Sequence, residues 1–188
     1  MDYKDFKHVS VPGDGNCFFH SIVTFLEYEK NGRKPKSLSA RSKRLRNKTI
    51  EWLRNNLDYR IFGIQTTIRD EINEAIYHDN NANYSTMDEY LEYMKSNDSY
   101  AGQIEIFAVS NIYNRNIKTF IHNQNNFSSI GLGYEINDKK NNIYLYHNIG
   151  KTKKKGMHHF EPLIPKDKLS KKSIKRKKSI KRKKSIKR

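Results

Sequence analysis

Pro12-Gly13-Asp14-Gly15-Asn16-Cys17-Phe18-Phe19-His20-Ser21-Ile22 is the stretch whose reading decides the fold. The turn-forming residues from Pro12 to Asn16 stand immediately before an apolar series in which Phe19, Ile22, Val23 and Leu26 fall at i, i+3, i+4 and i+7. That spacing predicts a helix with a buried face beginning near Cys17, and the residues before it predict a tight loop. The single cysteine of the chain is thereby delivered to a helix N-terminus. There a thiolate meets the positive end of the helix dipole, which favours the ionised, nucleophilic form. Gly13 and Gly15 let the backbone fold closely around the sulfur, and their amides, with that of Cys17, can face a developing oxyanion. A lone cysteine elsewhere is most often a small buried hydrophobe, and the loop context is what sets this one apart.

Downstream, residues 30–47 are basic, contain Gly32 and Pro35, and read as a solvated connection or a helix start at Ser37 or Ser39. A second helix is expected over residues 40–58, with Leu45, Ile50, Trp52, Leu53 and Leu57 as its core positions. Residues 59–97 read as mostly helical, because Ile61, Ile64, Ile68, Ile72 and Ile76 recur at three or four, and Thr86 caps a short helix carrying Tyr90, Leu91 and Met94. The apolar run 104–109 reads as helix. The runs 117–122, 130–134, 143–147 and 159–164, rich in branched and aromatic residues and separated by Asn/Gly turns, read as strands. The result is an α+β domain in which helices come first and a small sheet follows.

With 188 residues the chain suits one domain. The boundaries expected are a folded domain over 1–165 and a disordered basic tail over 166–188, which ends in three copies of Lys-Lys-Ser-Ile-Lys-Arg starting at 171, 177 and 183. These repeats hold 12 of the 37 Lys and Arg residues and no acid, so without them the net charge falls from +17 to +5. A six-residue period turns Ile174, Ile180 and Ile186 in three directions around a helix, so no apolar stripe forms. The tail reads as a nuclear localisation signal, a contact for nucleic acid or anionic surfaces, or a solubilising extension. One cysteine excludes an internal disulfide and a thiolate zinc cluster, and points to an intracellular, cytoplasmic or nuclear setting. No metal or cofactor is expected. The charged N-terminus and the short apolar run Phe18 to Leu26 do not read as a leader or a membrane span. Abundant Asn, Lys, Ile and Tyr fit an AT-rich genome such as that of a large DNA virus.

A cysteine nucleophile needs a base and an orienting partner for that base. His20, one turn into the helix, reads as a structural histidine, and His8, His78, His122 and His147 read as surface residues without a special setting. His158 and His159 lie on the last expected strand, followed by Phe160, Glu161 and Pro162. Neighbouring strand residues point to opposite faces, so one of the two histidines can face the cysteine.

The segment 14–22 resembles the cysteine box of the OTU (ovarian tumour) family of deubiquitinating cysteine proteases, and His159-Phe160-Glu161-Pro162-Leu163 resembles its late histidine box. Between them, Tyr100-Ala101-Gly102-Gln103-Ile104-Glu105-Ile106 is similar to the family's Trp-Gly-Gly-x-x-Glu-Leu segment, with Tyr100 and Ala101 departing from Trp-Gly, and residues 143–146 are similar to its penultimate strand. The resemblance covers residues 6–165. It implies a papain-like cysteine protease fold of OTU type, helices packed around a small central sheet, and hydrolysis of the isopeptide bond after the C-terminal glycine of ubiquitin. It implies Cys17 as nucleophile, His159 as base, Asp14 as the loop acid that shapes the oxyanion hole, and Glu161 in the place of the orienting Asp or Asn, longer by one methylene. The oxyanion hole is assigned to the amides of Asp14, Gly15, Asn16 and Cys17. The implied partner is ubiquitin or a polyubiquitin chain. Its basic, extended tail would suit Glu89, Glu92 and Tyr100, although a charged helical face is more often merely solvated. The competing reading is a catalytically inactive OTU-like adaptor that binds ubiquitin or nucleic acid through the same fold and tail.

Overall fold

The computed structural model describes residues 2–61, 65–79, 83–121, 127–129, 142–149, 158–167 and 169. A short 3-10 turn, Tyr3–Asp5, leads into strand β1, Phe6–His8, and then into α1, Cys17–Asn31, and α2, Leu38–Asn55. The two-residue strands β2, Arg60–Ile61, and β3, Thr66–Thr67, precede α3, Ile68–His78, α4, Met87–Tyr93, and α5, Gln103–Tyr113. Strands β4, Asn116–Ile121, β5, Phe127–Ser129, β6, Asn142–Ile149, and β7, His158–Pro165, complete the described chain. The main sheet has the order β1-β7-β6-β4-β5, with β4 and β6 parallel and the other neighbours antiparallel.

Helix α1 packs on β7 and β6 through one side and on α2 through another. Every residue from Cys17 to Phe25 is buried, which is the pattern of a helix enclosed on all sides rather than one with a single apolar stripe. Phe18, Phe25, Ile143, Leu145, Phe160 and Ile164 form the core between α1 and the sheet. A second core joins α2 to α3, α4 and α5 through Ile50, Leu53, Ile68, Ile72, Leu91 and Ala108. Helix α1 stops at Gly32, which takes a left-handed φ of 66° and donates to the Tyr28 carbonyl at 2.8 Å.

The start of α1 at Cys17, the helix over 104–109 and three of the four expected strands are present. The expected strand 130–134 lies outside the described residues, as do the tail repeats. Within residues 59–97 the described helices are α3 and α4, and the expected helical run fails at its start. Ile61 belongs to the β2–β3 hairpin, and α3 begins only at Ile68 because Thr67 and Asp70 form a reciprocal capping box that marks a first turn. The β-branched pair Thr66-Thr67 completes the hairpin instead of continuing a helix. Ile64 lies outside the described residues. Strand β1 also corrects the helices-first order, since three residues are too few to show a period. Thr86 caps α4 as expected, with Glu89 as its reciprocal partner.

Candidate active site

Strand β1 covers only part of the edge of β7, and the loop after it runs along the remainder. The Val9 amide donates to the Pro162 carbonyl at 3.2 Å, and Ser10 lies near enough to Glu161 to help hold its carboxyl charged. A Cβ built on Gly13 would lie 3.8 Å from His159 Cε1. The loop thus passes Pro162, Glu161 and His159 in turn and ends at Cys17, whose side chain is near enough to His159 to favour the charged ring. The Oε1 atom of Glu161 stands 3.6 Å from His159 Nε2, an ion-pair distance rather than a hydrogen-bond distance. Cys17, His159 and Glu161 are therefore gathered where the edge of a sheet meets the N-terminus of α1.

The loop is held from below by one side chain of α2. Arg46 is fully buried and places a donor on Asn16 Oδ1 at 2.9 Å and on the Gly15 carbonyl at 2.7 Å. The same guanidinium reaches the Met94 carbonyl at 2.8 Å, Ser99 Oγ at 2.6 Å and the Ser99 carbonyl at 2.9 Å. Gly15 permits this contact, because a Cβ there would collide with the Asn97 carbonyl oxygen and lie 2.9 Å from that of Ser99.

Asp14 shapes the loop. Its carboxylate accepts the Asn16 amide at 2.9 Å and lies 3.3 Å from His20 Nε2, while its carbonyl accepts the Cys17 amide at 3.0 Å. Among the described residues the amides of Asp14 and Gly15 have no hydrogen-bond partner. An oxyanion hole drawing on all four loop amides therefore requires the Asp14 turn to open when an acyl group arrives. His20 is structural, as expected: it is buried and its Nδ1 pairs with Ser42 Oγ at 2.8 Å.

Hydrogen bonding to Cys17 and the neighbouring Glu161 carboxylate push His159 up to about 9, against the burial that would lower it. Burial would raise Glu161, yet His159, His8 and Ser10 more than reverse this and hold its carboxyl well below the usual range. His159 is thus an imidazolium at neutral pH, positioned beside the sulfur. Its folded value lies above the ordinary 6.5, so its stabilising contribution is complete below 6.5 and is lost as pH rises through about 9. Turnover that uses this imidazolium as proton donor is expected to fall over the same rise. A kcat/KM profile from about pH 6 to about pH 10 measures it, and a rate still climbing at the alkaline end would exclude the imidazolium as donor.

The family model for OTU-like cysteine protease matches residues 12–160. The chain belongs to the OTU-like cysteine protease family. The viral OTU domain protease from Dera Ghazi Khan virus superposes with a TM-score of 0.53 at 23% identity, over 87% of this chain and 84% of that one. An OTU deubiquitinase from Wolbachia pipientis wMel, solved bound to ubiquitin, gives a TM-score of 0.53 at 21% identity, over 87% of this chain and 98% of that one. The Hazara virus OTU bound to ubiquitin gives 0.52 at 20% identity, over 87% and 84%. No curated protein matches the chain in sequence.

In the OTU domain the three residues expected at the substrate surface have the following partners. The Glu89 carboxylate accepts from the Ser85 amide, the Ser85 hydroxyl and the Thr86 amide, which makes it a capping group of α4. Glu92 bonds Arg54 at 2.8 Å and Lys95 at 2.6 Å. Tyr100 is exposed and lines a cleft of about 670 Å³ with Glu71, Glu74, Tyr93 and Glu105; neither Cys17 nor His159 lines it. Among the described residues no helix of this OTU domain is long and apolar enough to cross a membrane.

Two parts of the site escaped the sequence reading. Arg46 falls on the buried stripe of α2 with Ser42, Leu45, Thr49, Ile50 and Leu53, and that placement was its available signal. His8 is exposed, as expected, but it has a partner the sequence did not show: its Nε2 lies 2.6 Å from Glu161 Oε2. The three-residue strand that carries it has no readable pattern, so the sequence offered no signal for this contact.

Proposed function

We propose that this OTU domain is a deubiquitinase that hydrolyses the isopeptide bond after the C-terminal glycine of ubiquitin. The observation that carries the reading is Cys17 at the N-terminus of α1, beside an imidazolium, His159, whose Nε2 faces Glu161. In this mechanism the Cys17 sulfur attacks the glycine carbonyl carbon, and the electron pair of the carbonyl moves onto oxygen in front of the loop amides. Collapse of the tetrahedral intermediate breaks the C–N bond as His159 gives its proton to the leaving lysine amine. The neutral imidazole then takes a proton from water, hydroxide attacks the thioester, and the free carboxylate and Cys17 are released. Glu161 holds the ring orientation and stabilises its charged form. Ubiquitin as substrate is supported by family membership and by neighbours solved with ubiquitin, which are themselves 21% and 20% identical to this chain.

The test is reaction of the full chain with ubiquitin bearing a C-terminal electrophile, beside Cys17→Ala, followed by cleavage of diubiquitin of each linkage. A covalent adduct lost in Cys17→Ala, with cleavage of at least one linkage, is expected. Binding of ubiquitin with neither reaction would move the chain to the adaptor reading.

The basic repeats are proposed to act independently of the chemistry, in contact with nucleic acid or anionic surfaces or as a nuclear signal. The expected tail begins too early, because Lys166 bonds the Lys4 carbonyl and Leu169 packs on the core, so deleting only the repeats, residues 171–188, is expected to leave diubiquitin cleavage within about twofold. It should also weaken salt-sensitive binding to DNA or RNA, followed by titration at two salt concentrations. Failure of the truncated chain to fold would show that the tail is structural.

A further inference from the structure

We infer that His8 is a positioning residue of the catalytic site, acting on Cys17 and His159 through the carboxylate of Glu161. The inference rests on the deubiquitinase reading for one of its two assays. Strand β1 pairs with β7 so that His8 stands opposite Leu163, which puts Glu161 on the diagonal. Residues 161 and 163 share a face of the strand, and a diagonal neighbour is within reach of long side chains. The reach is realised: His8 Nε2 lies 2.6 Å from Glu161 Oε2, while Oε1 of the same carboxylate is the atom turned toward His159.

The other side of the His8 ring is also fixed. Its Nδ1 is 3.0 Å from the Tyr3 hydroxyl, and its ring centroid is 4.9 Å from that of Tyr146. Tyr3 is in turn stacked on Phe120 at 4.6 Å. With the phenol donating to Nδ1, the neutral ring carries its proton on Nε2 and donates it to Glu161. The groups facing the carboxylate are thus His159, His8 and Ser10, and Tyr146 is its partner across the β6–β7 pair. Glutamate has one more rotatable bond than the Asp or Asn expected at this place, so an unheld carboxylate would lose more freedom on orienting a ring. The tight bond from His8 supplies that restraint, because it fixes one oxygen and leaves the other to face His159. His8 does not touch the reacting atoms, so its effect passes through Glu161.

The experiment is a double-mutant cycle on the full chain with His8→Ala, Glu161→Ala and the pair, with His8→Gln and His8→Leu as further variants. One readout is kcat and KM for a ubiquitin C-terminal fluorophore. The other is the alkylation rate of Cys17 by iodoacetamide, which needs no ubiquitin and is specific because the chain has one cysteine. His8→Ala is expected to lower kcat and the alkylation rate about 10-fold, the size of one lost charged hydrogen bond, with KM nearly unchanged. It should add less than about twofold in the Glu161→Ala background. His8→Gln, which retains a donor, should recover most of the loss, whereas His8→Leu, which fills the space without one, should not. Should His8→Ala fail to fold, the Gln and Leu pair gives the same comparison. Full activity in His8→Leu, or an equal loss with and without Glu161, would overturn the inference. If wild-type protein leaves ubiquitin intact but the alkylation series behaves as described, the substrate reading fails and the role of His8 stands.

Discussion

Cys17→Ala and His159→Ala are each expected to lower hydrolysis of ubiquitin conjugates by about 10⁴-fold or more, because nucleophile and base act as a unit and removing either removes the whole covalent route. The two losses should not add: the double variant should be as slow as either single one. The adjacent position on β7 provides the control, since His158→Ala is expected to keep turnover. Glu161→Gln should fall between, lowering kcat with little change in KM. Gln keeps the length of the side chain but loses the charge that favours the imidazolium. Single-turnover kinetics on one substrate measures the series. An active His159→Ala beside an inactive His158→Ala would mean that the base had been assigned one residue too late, and Glu161 would lose its role with it.

Arg46→Ala is expected to lower the stability of the domain by about 3–5 kcal/mol, the range for stranding buried polar partners. In a chain of this size that corresponds to a fall in Tm of roughly 10 °C. All five N–H groups of the guanidinium are engaged, on Asn16, Gly15, Met94 and twice on Ser99, and its plane lies 4.6 Å from the centre of the Phe19 ring. Truncation leaves these acceptors without a donor inside a site that water cannot readily fill, and each unsatisfied group costs about 1–3 kcal/mol. Arg46→Lys keeps the charge but offers three donors from one atom, so it should recover only part of the loss. Thermal and urea unfolding of the three proteins decide the matter. An Arg46→Ala protein that melts within about 2 °C of wild type would show that the loop does not depend on this anchor. Because Gly15 and Asn16 adjoin Cys17, the surviving fraction of Arg46→Ala should also react more slowly with electrophiles.

The amino-acid sequence by itself determined the features that depend on neighbours along the chain. The cluster of turn residues before an apolar series placed Cys17 at the first residue of α1, where the structure has it. The capping residue of α4 was readable at Thr86 for the same reason. Strand alternation put His159 and Glu161 on one face. The helical reading of 59–97 failed at its start, because isoleucine spacing fits a helix and says nothing of the hairpin that competes for Ile61, which is settled by pairing with Thr66. What only tertiary structure decided is the part of the site built from distant segments: Arg46 beneath the nucleophile loop and His8 on Glu161. Position on the buried stripe of α2 marks Arg46 as withdrawn from water without naming its partners, and a three-residue edge strand has no readable pattern. Their positions follow from which segments the core brings together, because a polar group withdrawn from water takes whatever partner the packed chain provides.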